Sequence, residues 1–594
     1  MNQTRSFLMI AWLAVAALLW IEWNKPAPVA ATTPTPVAAA PATGASVPPP
    51  GALAPAPAPG AVPAAAASGN PLAAAPSAVG TSAASTSAPR LITLESDTLL
   101  LRVDLSGGRV VDSQLLQYQV EKKAGSPHVH LLSNAENNYF AADAGLISVD
   151  AKAAQRDLLP QFQTMDGANL FKIAPGASEL AVPLTWTDPQ SGITVSRTLR
   201  LVRGSYILDV DDMVANRGSQ AQRLYPVVGL SRVAPPAPPR HSFLTNPDAL
   251  SFVGGVWYSP DAKYKKVAFT DFSSKPPGNA AVDDGWIGML QHHFASAWVP
   301  FHGDVQTRFE TAIGSHDGAP LYTIRSIGAP LDVAPGKQVL HRNRLWVGPK
   351  LQGPMAEVSP TLRLTVDYGK LTVLAQPLFW LLSMLHRLLG NWGWAIVAIV
   401  VLLKAALYPL SRKQYQSMAK MRSVQPRIEA LRERYGEDKQ ALNLAMMELY
   451  KKEKINPIGG CLPILVQMPV FFALYWVLLE TVELRHAPWM GWIQNLTAPD
   501  PYFVLPFLNL LVMFLTQRMT PTPGMDPMQK KMMQIMPLVF GVMMAFFPAG
   551  LVLYWVTNGG LGLLQQWWMT RVHGPKSGTG GTPPASKTVS TVSR

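Results

Sequence analysis

Two hydropathy patterns divide the chain near residue 365. From 91 to 365, short segments alternate apolar and polar residues: LITLESDTLLLRVDL, SGITVSRTLRLVRGSYILDVDDMV, KYKKVAFTDF and LYTIRSI. Turn clusters SGG, DPQSG, NRGSQ and APG separate them. A period of two marks strands with one face buried, and regular turns between them predict a large, mostly antiparallel all-β domain of sandwich type. A helical stretch is expected late, around Gln352–Val358.

After TVDYG at 365–369 the chain turns oily. LFWLLSMLHRLLG at 378–390 carries His386 and Arg387 on an otherwise apolar stretch, which predicts an amphipathic helix lying in a membrane interface within a linker at 366–391. Apolar runs then predict membrane-spanning helices at about 392–411, 462–482, 502–517, 532–548 and 550–569. A further run, Phe7–Ile21, predicts an N-terminal anchor over 1–25, and cleavage near Val29 to Ala31 is the alternative. That makes six spans, five of them in one core. Residues 26–89 carry no charge and consist mostly of Ala, Pro, Ser, Thr and Gly, so 26–90 is expected to be a disordered tether.

Between the spans, 412–460 predicts a helical hairpin. Met418, Met421, Ile428 and Leu431 mark one apolar stripe, and Leu442, Met446 and Leu449 the other. Gly436 suits a C-cap and Asp438 an N-cap, while Pro426 is expected to kink or interrupt the first helix.

Composition supports a membrane protein. The 594 residues carry a net charge of +13, but only 15% are charged and 48% are hydrophobic, too few charges for a soluble nucleic-acid binder. Loop 412–460 holds eleven basic and six acidic residues, loop 518–531 is basic, and the tail at 571–594 has no acid. Loop 483–501 is poor in Lys and Arg. The bias places the basic loops and both termini in the cytoplasm and the β domain on the far side. The single cysteine, Cys461, excludes a disulfide framework within one chain. HVH at 128–130 and HH at 292–293 lack partners at zinc spacing, and there is no P-loop and no G-x-S-x-G. No cofactor, nucleotide or metal is called for.

The candidate chemistry lies inside the spans. AIVAIVVLLKAALYPLS at 395–411 reads as a span with Lys404 within it, although a charge at mid-membrane costs ~3 kcal/mol. Either Lys404 snorkels towards the headgroups, or it faces a wet recess in the bundle. Gln467, Asn509, Asn558 and Gln565 are further intramembrane polar residues, and prolines 463, 469, 506 and 537 with glycines 541, 559, 560 and 562 permit bends and close approach. No intramembrane carboxylate accompanies Lys404, which weakens a proton-coupled transporter. Sixteen of the 23 methionines fall between Met418 and Met569, a composition that suits varied apolar clients as well as ordinary packing.

The run NWGWAIVAIVVLLKAALYPLSRKQYQSMAKMRSVQPRIEALRERYGEDKQ closely resembles the YidC membrane protein insertases. So do ELYKKEKINPIGGCLPILVQMPVFFALYWVL, VELRHAPW, DPMQKKMMQIMP and FPAGLVLYWVTN. The anchor, tether and large β domain resemble the Gram-negative form of that family. The resemblance implies five core spans, at 392–411 and within 461–570, around a hydrophilic groove open to cytoplasm and lipid. It implies a periplasmic β-supersandwich similar to sugar mutarotases and an inner-membrane location. It further implies a non-enzymatic insertase and chaperone that takes nascent membrane proteins from ribosomes, alone or with the Sec translocon, and meets nucleic acid only through the ribosome. Membrane lipid is the other partner. Lys404, Gln467, Asn509, Gln517 and Asn558 are the expected groove residues. The family usually carries arginine where this chain has Lys404, so the charge is kept but the bidentate fork is lost. A solute transporter and a membrane-tethered carbohydrate enzyme are the rival readings.

Overall fold

The computed structural model describes residues 90–149, 155–236, 251–278, 280–301, 306–412, 414, 424–436, 438–453, 462–519 and 527–573. The expected anchor and tether, Met418, Met421, Cys461 and most of the basic tail lie outside the described residues.

Among the described residues, to which the strand counts and pairings belong, the alternating segments form two sheets. One has 12 strands and runs through Ala319–Gly328, Gln222–Val233, Phe140–Val149, Arg109–Gln119, Leu99–Asp104 and Leu91–Glu95. The other has 9, with Gly254–Ser259, Trp286–Leu290, Phe294–Pro300, Gln338–Pro349, Ile207–Asn216 and Ile193–Val202 in its middle. Pairing is antiparallel except between Leu91–Glu95 and Leu170–Lys172. Side chains from both sheets share one core, among them Leu94, Leu101, Leu201, Leu208, Trp286 and Trp346. Strand Ile207–Asn216 follows the alternating rule strictly, whereas Trp286–Leu290 is buried at every position. The latter strand is covered on both faces, so hydropathy does not alternate along it. Within the core, Arg197 is 2% exposed, and its guanidinium donates to both carboxylate oxygens of Asp212 at 2.7 and 2.8 Å. It also donates to the carbonyls of Gly108 and Ala144 in the facing sheet. A buried ion pair satisfied on all sides in this way fixes how the two sheets meet.

A short helix α1 (Gln352–Val358) follows the last strand, as expected from the sequence. Then come α2 (Thr372–Leu389), α3 (Trp392–Ala406), α4 (Gln425–Tyr435), α5 (Lys439–Lys452), α6 (Leu462–Glu480), α7 (Val504–Met519), α8 (Pro527–Met544) and α9 (Ala549–His573). Helix α2 is longer than 378–390 and continues through Pro377; Gly390 ends it in a left-handed conformation, φ 66°. Among the described residues, Gly369–Leu389 is the one helix both long and apolar enough to cross a membrane by length and composition; α3 and α7 are shorter apolar helices. Helix α2 packs on α3 and α6, α3 on α9, and α7 on α8 and α9. Their shared core includes Ile396, Ile399, Leu474, Val477, Val552 and Tyr554. Their outer faces leave large apolar side chains uncovered, including Leu402, Phe472, Phe507, Leu538, Val542 and Leu564. Apolar surface on this scale needs lipid or protein to cover it.

Two details correct the sequence reading. The run 392–411 is not one helix: α3 ends at Ala406 with Leu407 as C-cap, and residues 408–412 are helical again beyond it. Pro409 has no N–H to return to Ala405, which accounts for the break. Pro426 stands in the first turn of α4, where its missing N–H costs nothing, so it bends no helix within the described residues. Helices α4 and α5 pack through Val424, Ile428, Met446, Leu449 and Tyr450, and Arg427 pairs with Glu453 across them at 2.5 Å. Asp438 caps α5 by accepting from the N–H groups of Gln440 and Ala441, both at 3.0 Å.

Candidate functional site

The polar residues of the helical region gather along α9. Asn558 and Gly562 are four residues apart and so lie on one face of that helix. Gln467, from α6, donates its amide to Asn558 Oδ1 at 2.7 Å. One turn along, a Cβ built on Gly562 would lie 3.5 Å from Lys404 Nζ, so the ammonium rests where α9 has no side chain. Three helices thus bring Lys404, Gln467 and Asn558 to a single face.

The break at Leu407 changes what holds the lysine. Lys404 stands in the last turn of α3, where the Leu407 N–H bonds the carbonyls of Leu403 and Ala405 and the helix dipole presents its negative end. A cation there is favoured by about 0.3–1 kcal/mol, which offsets part of the cost of removing it from water. Lys404 is half-buried, and its neighbours Leu402 and Ala405 are exposed.

The other two expected groove residues lie on α7. Asn509 is buried, and its amide donates to the Met513 sulfur at 3.7 Å. Gln517 donates to the backbone carbonyl of Met533 and ties α7 to α8. Residues 509, 513 and 517 share one face of α7, but the structure gives neither polar residue a contact with Lys404. Helices α7 and α9 approach closely at Gly559, where a Cβ would meet Val512 at 2.8 Å.

One functional candidate was missed. Gln566, not Gln565, is the buried glutamine of α9, and it donates to the carbonyl of Met519 at 3.0 Å. It caps the end of α7. Its signal was present in the spacing: 558, 562 and 566 form one helical stripe. Among the described residues no group of three or more His, Cys, Asp or Glu side chains is placed to hold a metal ion.

Comparison with known proteins places this arrangement in a family. The family model of the YidC periplasmic domain matches residues 91–381, and that of the 60Kd inner membrane protein matches 384–576. The membrane protein insertase YidC of Stenotrophomonas maltophilia is 50% identical, covering 98% of this chain and 99% of its own length. The chain belongs to the YidC family. The membrane protein insertase YidC of Xanthomonas campestris pv. campestris is 49% identical over 97% of this chain and 98% of its own. A crystal structure of an active YidC insertase with its first transmembrane domain resolved is similar to 81% of this chain at 17% identity, with a TM-score of 0.36. Members of this family are inner-membrane proteins, so the two-sheet domain is the periplasmic domain and the helices after it are the membrane region.

Proposed function

We propose that this protein inserts and folds integral membrane proteins, with the polar face of α9 as the path for a client's hydrophilic tail. The observation that carries the reading is the convergence of Lys404, Gln467 and Asn558 on one helix face inside an otherwise apolar assembly. The lysine charge attracts acidic groups of the client, and the Gln467 and Asn558 amides exchange their mutual bond for bonds to the passing backbone. Asn509 and Gln517 extend the polar lining along α7. A polar tail that meets these groups crosses a thinner apolar layer. The client's apolar stretch then moves into lipid, driven by its own burial at ~25 cal/mol per Å².

On this reading, six spans hold both termini and the α4–α5 hairpin in the cytoplasm, where that hairpin and the basic tail meet ribosomes. The Sec translocon is a working partner for longer clients. The membrane helices carry no Asp or Glu among the described residues before the outer end of α6, which favours an insertase over a proton-coupled transporter.

The test compares Lys404→Ala and Lys404→Arg in membrane vesicles, using clients whose translocated tails are acidic or neutral. Lys404→Ala is expected to lower insertion of acidic-tailed clients about tenfold, the order of one lost charge-assisted bond, and to spare neutral ones. Lys404→Arg is expected to work normally. Equal insertion by all three versions removes the lysine from the mechanism.

A further inference from the structure

The periplasmic domain and the outer ends of the helices enclose a cavity of about 180 Å³. Its walls come from the loop at Val120, the His292–His293 turn, the end of α6 at Leu478 and Leu479, and the segment from Arg485 to Thr497. A water molecule occupies roughly 30 Å³ in the liquid, so the space admits a tetrahedral oxyanion with several waters.

The walls are cationic. Arg485 donates to the carbonyl of Val120 at 2.9 Å and lines the cavity. Lys122 donates to the carbonyls of His486 and Gln494 at 2.8 and 2.7 Å, which fixes its charge beside the opening. Lys350 is already matched, since its ammonium sits 2.9 Å from Glu480 with both side chains buried. Glu483 lies close enough to the Tyr118 phenol to act on it electrostatically, and neither residue lines the cavity.

Three imidazoles complete the lining. His292 and His293 stack at 3.7 Å, and His292 Nε2 is 3.0 Å from the carbonyl of Leu479. His293 is 6% exposed, and its Nδ1 is buried without a hydrogen-bond partner. A buried polar atom in that state marks a place where a ligand group belongs. His486 is held at φ 59°, a left-handed conformation uncommon for a side-chain-bearing residue, with its N–H donating to Asn495 Oδ1 at 3.0 Å.

We infer that this junction cavity binds a phosphate group, presented by Arg485 with His293 and His486. Arginine supplies the planar fork that suits phosphate oxygens, and the imidazoles add donors when protonated. The cavity is lined by the C-terminal end of α6, and the segment that follows α6 carries the exposed aromatic side chains Trp492 and Tyr502, a residue type that favours the headgroup level of a membrane. The phosphate is therefore either a lipid phosphodiester or free in the periplasm. The positive field is already felt by the protein's own groups. Burial, Arg485 and Lys122 push His486 down to about 4, and burial, His292, Lys350 and Arg485 hold His293 well below its ordinary value. A bound anion offsets that positive field.

The experiment uses the full chain in phosphate-free buffer. In one arm, detergent-solubilised protein is titrated calorimetrically with inorganic phosphate between pH 8 and pH 6. In the other, nanodiscs of phosphatidylglycerol and phosphatidylcholine supply the protein for native mass spectrometry of co-purifying lipid. One saturable phosphate-bearing ligand per chain is expected. Arg485→Gln is expected to weaken it at least tenfold, and Arg485→Lys less than threefold. Lipid retention identifies the headgroup as the source, and phosphate uptake without it identifies the free ion. Absence of saturable binding in both arms, or equal binding by wild type and Arg485→Gln, overturns the assignment. Arg485→Lys guards against misfolding as the cause of a loss.

Discussion

Glu483 offers a quantitative test of how the periplasmic domain sits on the membrane helices. It occupies the one-turn helix Val482–Leu484 directly after α6, outside the membrane. Burial pushes its carboxyl up to about 7, against an ordinary value of 4.5, and its own backbone N–H offsets little of that. The sign follows from proton binding. Between pH 4.5 and about 7 the folded protein keeps this proton while the unfolded chain has lost it, so stability falls as pH rises through that window. Below 4.5 both states are protonated and the penalty vanishes.

A tenfold change in proton affinity is worth about 1.4 kcal/mol, so the full penalty above pH 7 is ~3 kcal/mol. The residue keeps some solvent contact, which trims the figure to about 2 kcal/mol. Glu483→Gln keeps the shape and removes the ionisation. The local reporters are the amides of Leu484 and Arg485, which donate to the carbonyls of Thr481 at 3.2 Å and Val482 at 3.0 Å. Hydrogen exchange at these amides, corrected for intrinsic base catalysis and measured without phosphate, reads the opening equilibrium. At pH 4.5 the variant and wild type are expected to match. At pH 8 the variant is expected to open about 30-fold less often, the equivalent of 2 kcal/mol. A difference that stays flat across pH, or a variant that opens more often at pH 8, refutes the burial argument.

Three further outcomes are expected. Lys350→Met leaves Glu480 buried and unpaired and is expected to cost ~3–5 kcal/mol, seen as a lower thermal transition of the full chain; Lys350→Met with Glu480→Met is expected to recover most of it. Gly562→Ala places a methyl 3.5 Å from Lys404 Nζ, an ordinary contact, and is expected to be tolerated, whereas Gly562→Leu displaces the ammonium and is expected to lower insertion of acidic-tailed clients as Lys404→Ala does. Asp438→Ala removes the cap of α5 and is expected to cost ~1 kcal/mol, read as faster amide exchange at Gln440 and Ala441.

What was legible in the sequence was local. Strand Ile207–Asn216 alternates because one face meets the core and the other does not, and Asp438 announces α5 because capping is settled within three residues. Where burial comes from both sides, as at Trp286–Leu290, alternation disappears and the strand can be read only from its neighbours. The junction was illegible for a different reason. Lys350 and Glu480 lie 130 positions apart, and each alone reads as a residue at the end of an element. Only the fold turns them into a buried pair.

Lys404 shows how these two limits combine. Hydropathy alone sets the lysine within a span and makes it costly, because a sliding window does not register that Pro409, five residues after it, interrupts the hydrogen-bond ladder. With α3 stopping at Ala406, the lysine stands in the last turn of a helix, with its ammonium beside a glycine that leaves it room. Its cost falls without a carboxylate partner. That is what a groove for acidic clients requires, because a resident carboxylate would compete for the same charge. On the insertase reading proposed above, the helix-end dipole leaves the net charge intact for an acidic client, and the Gln467–Asn558 pair, neutral and exchangeable, lies on the same face for a polar chain to meet.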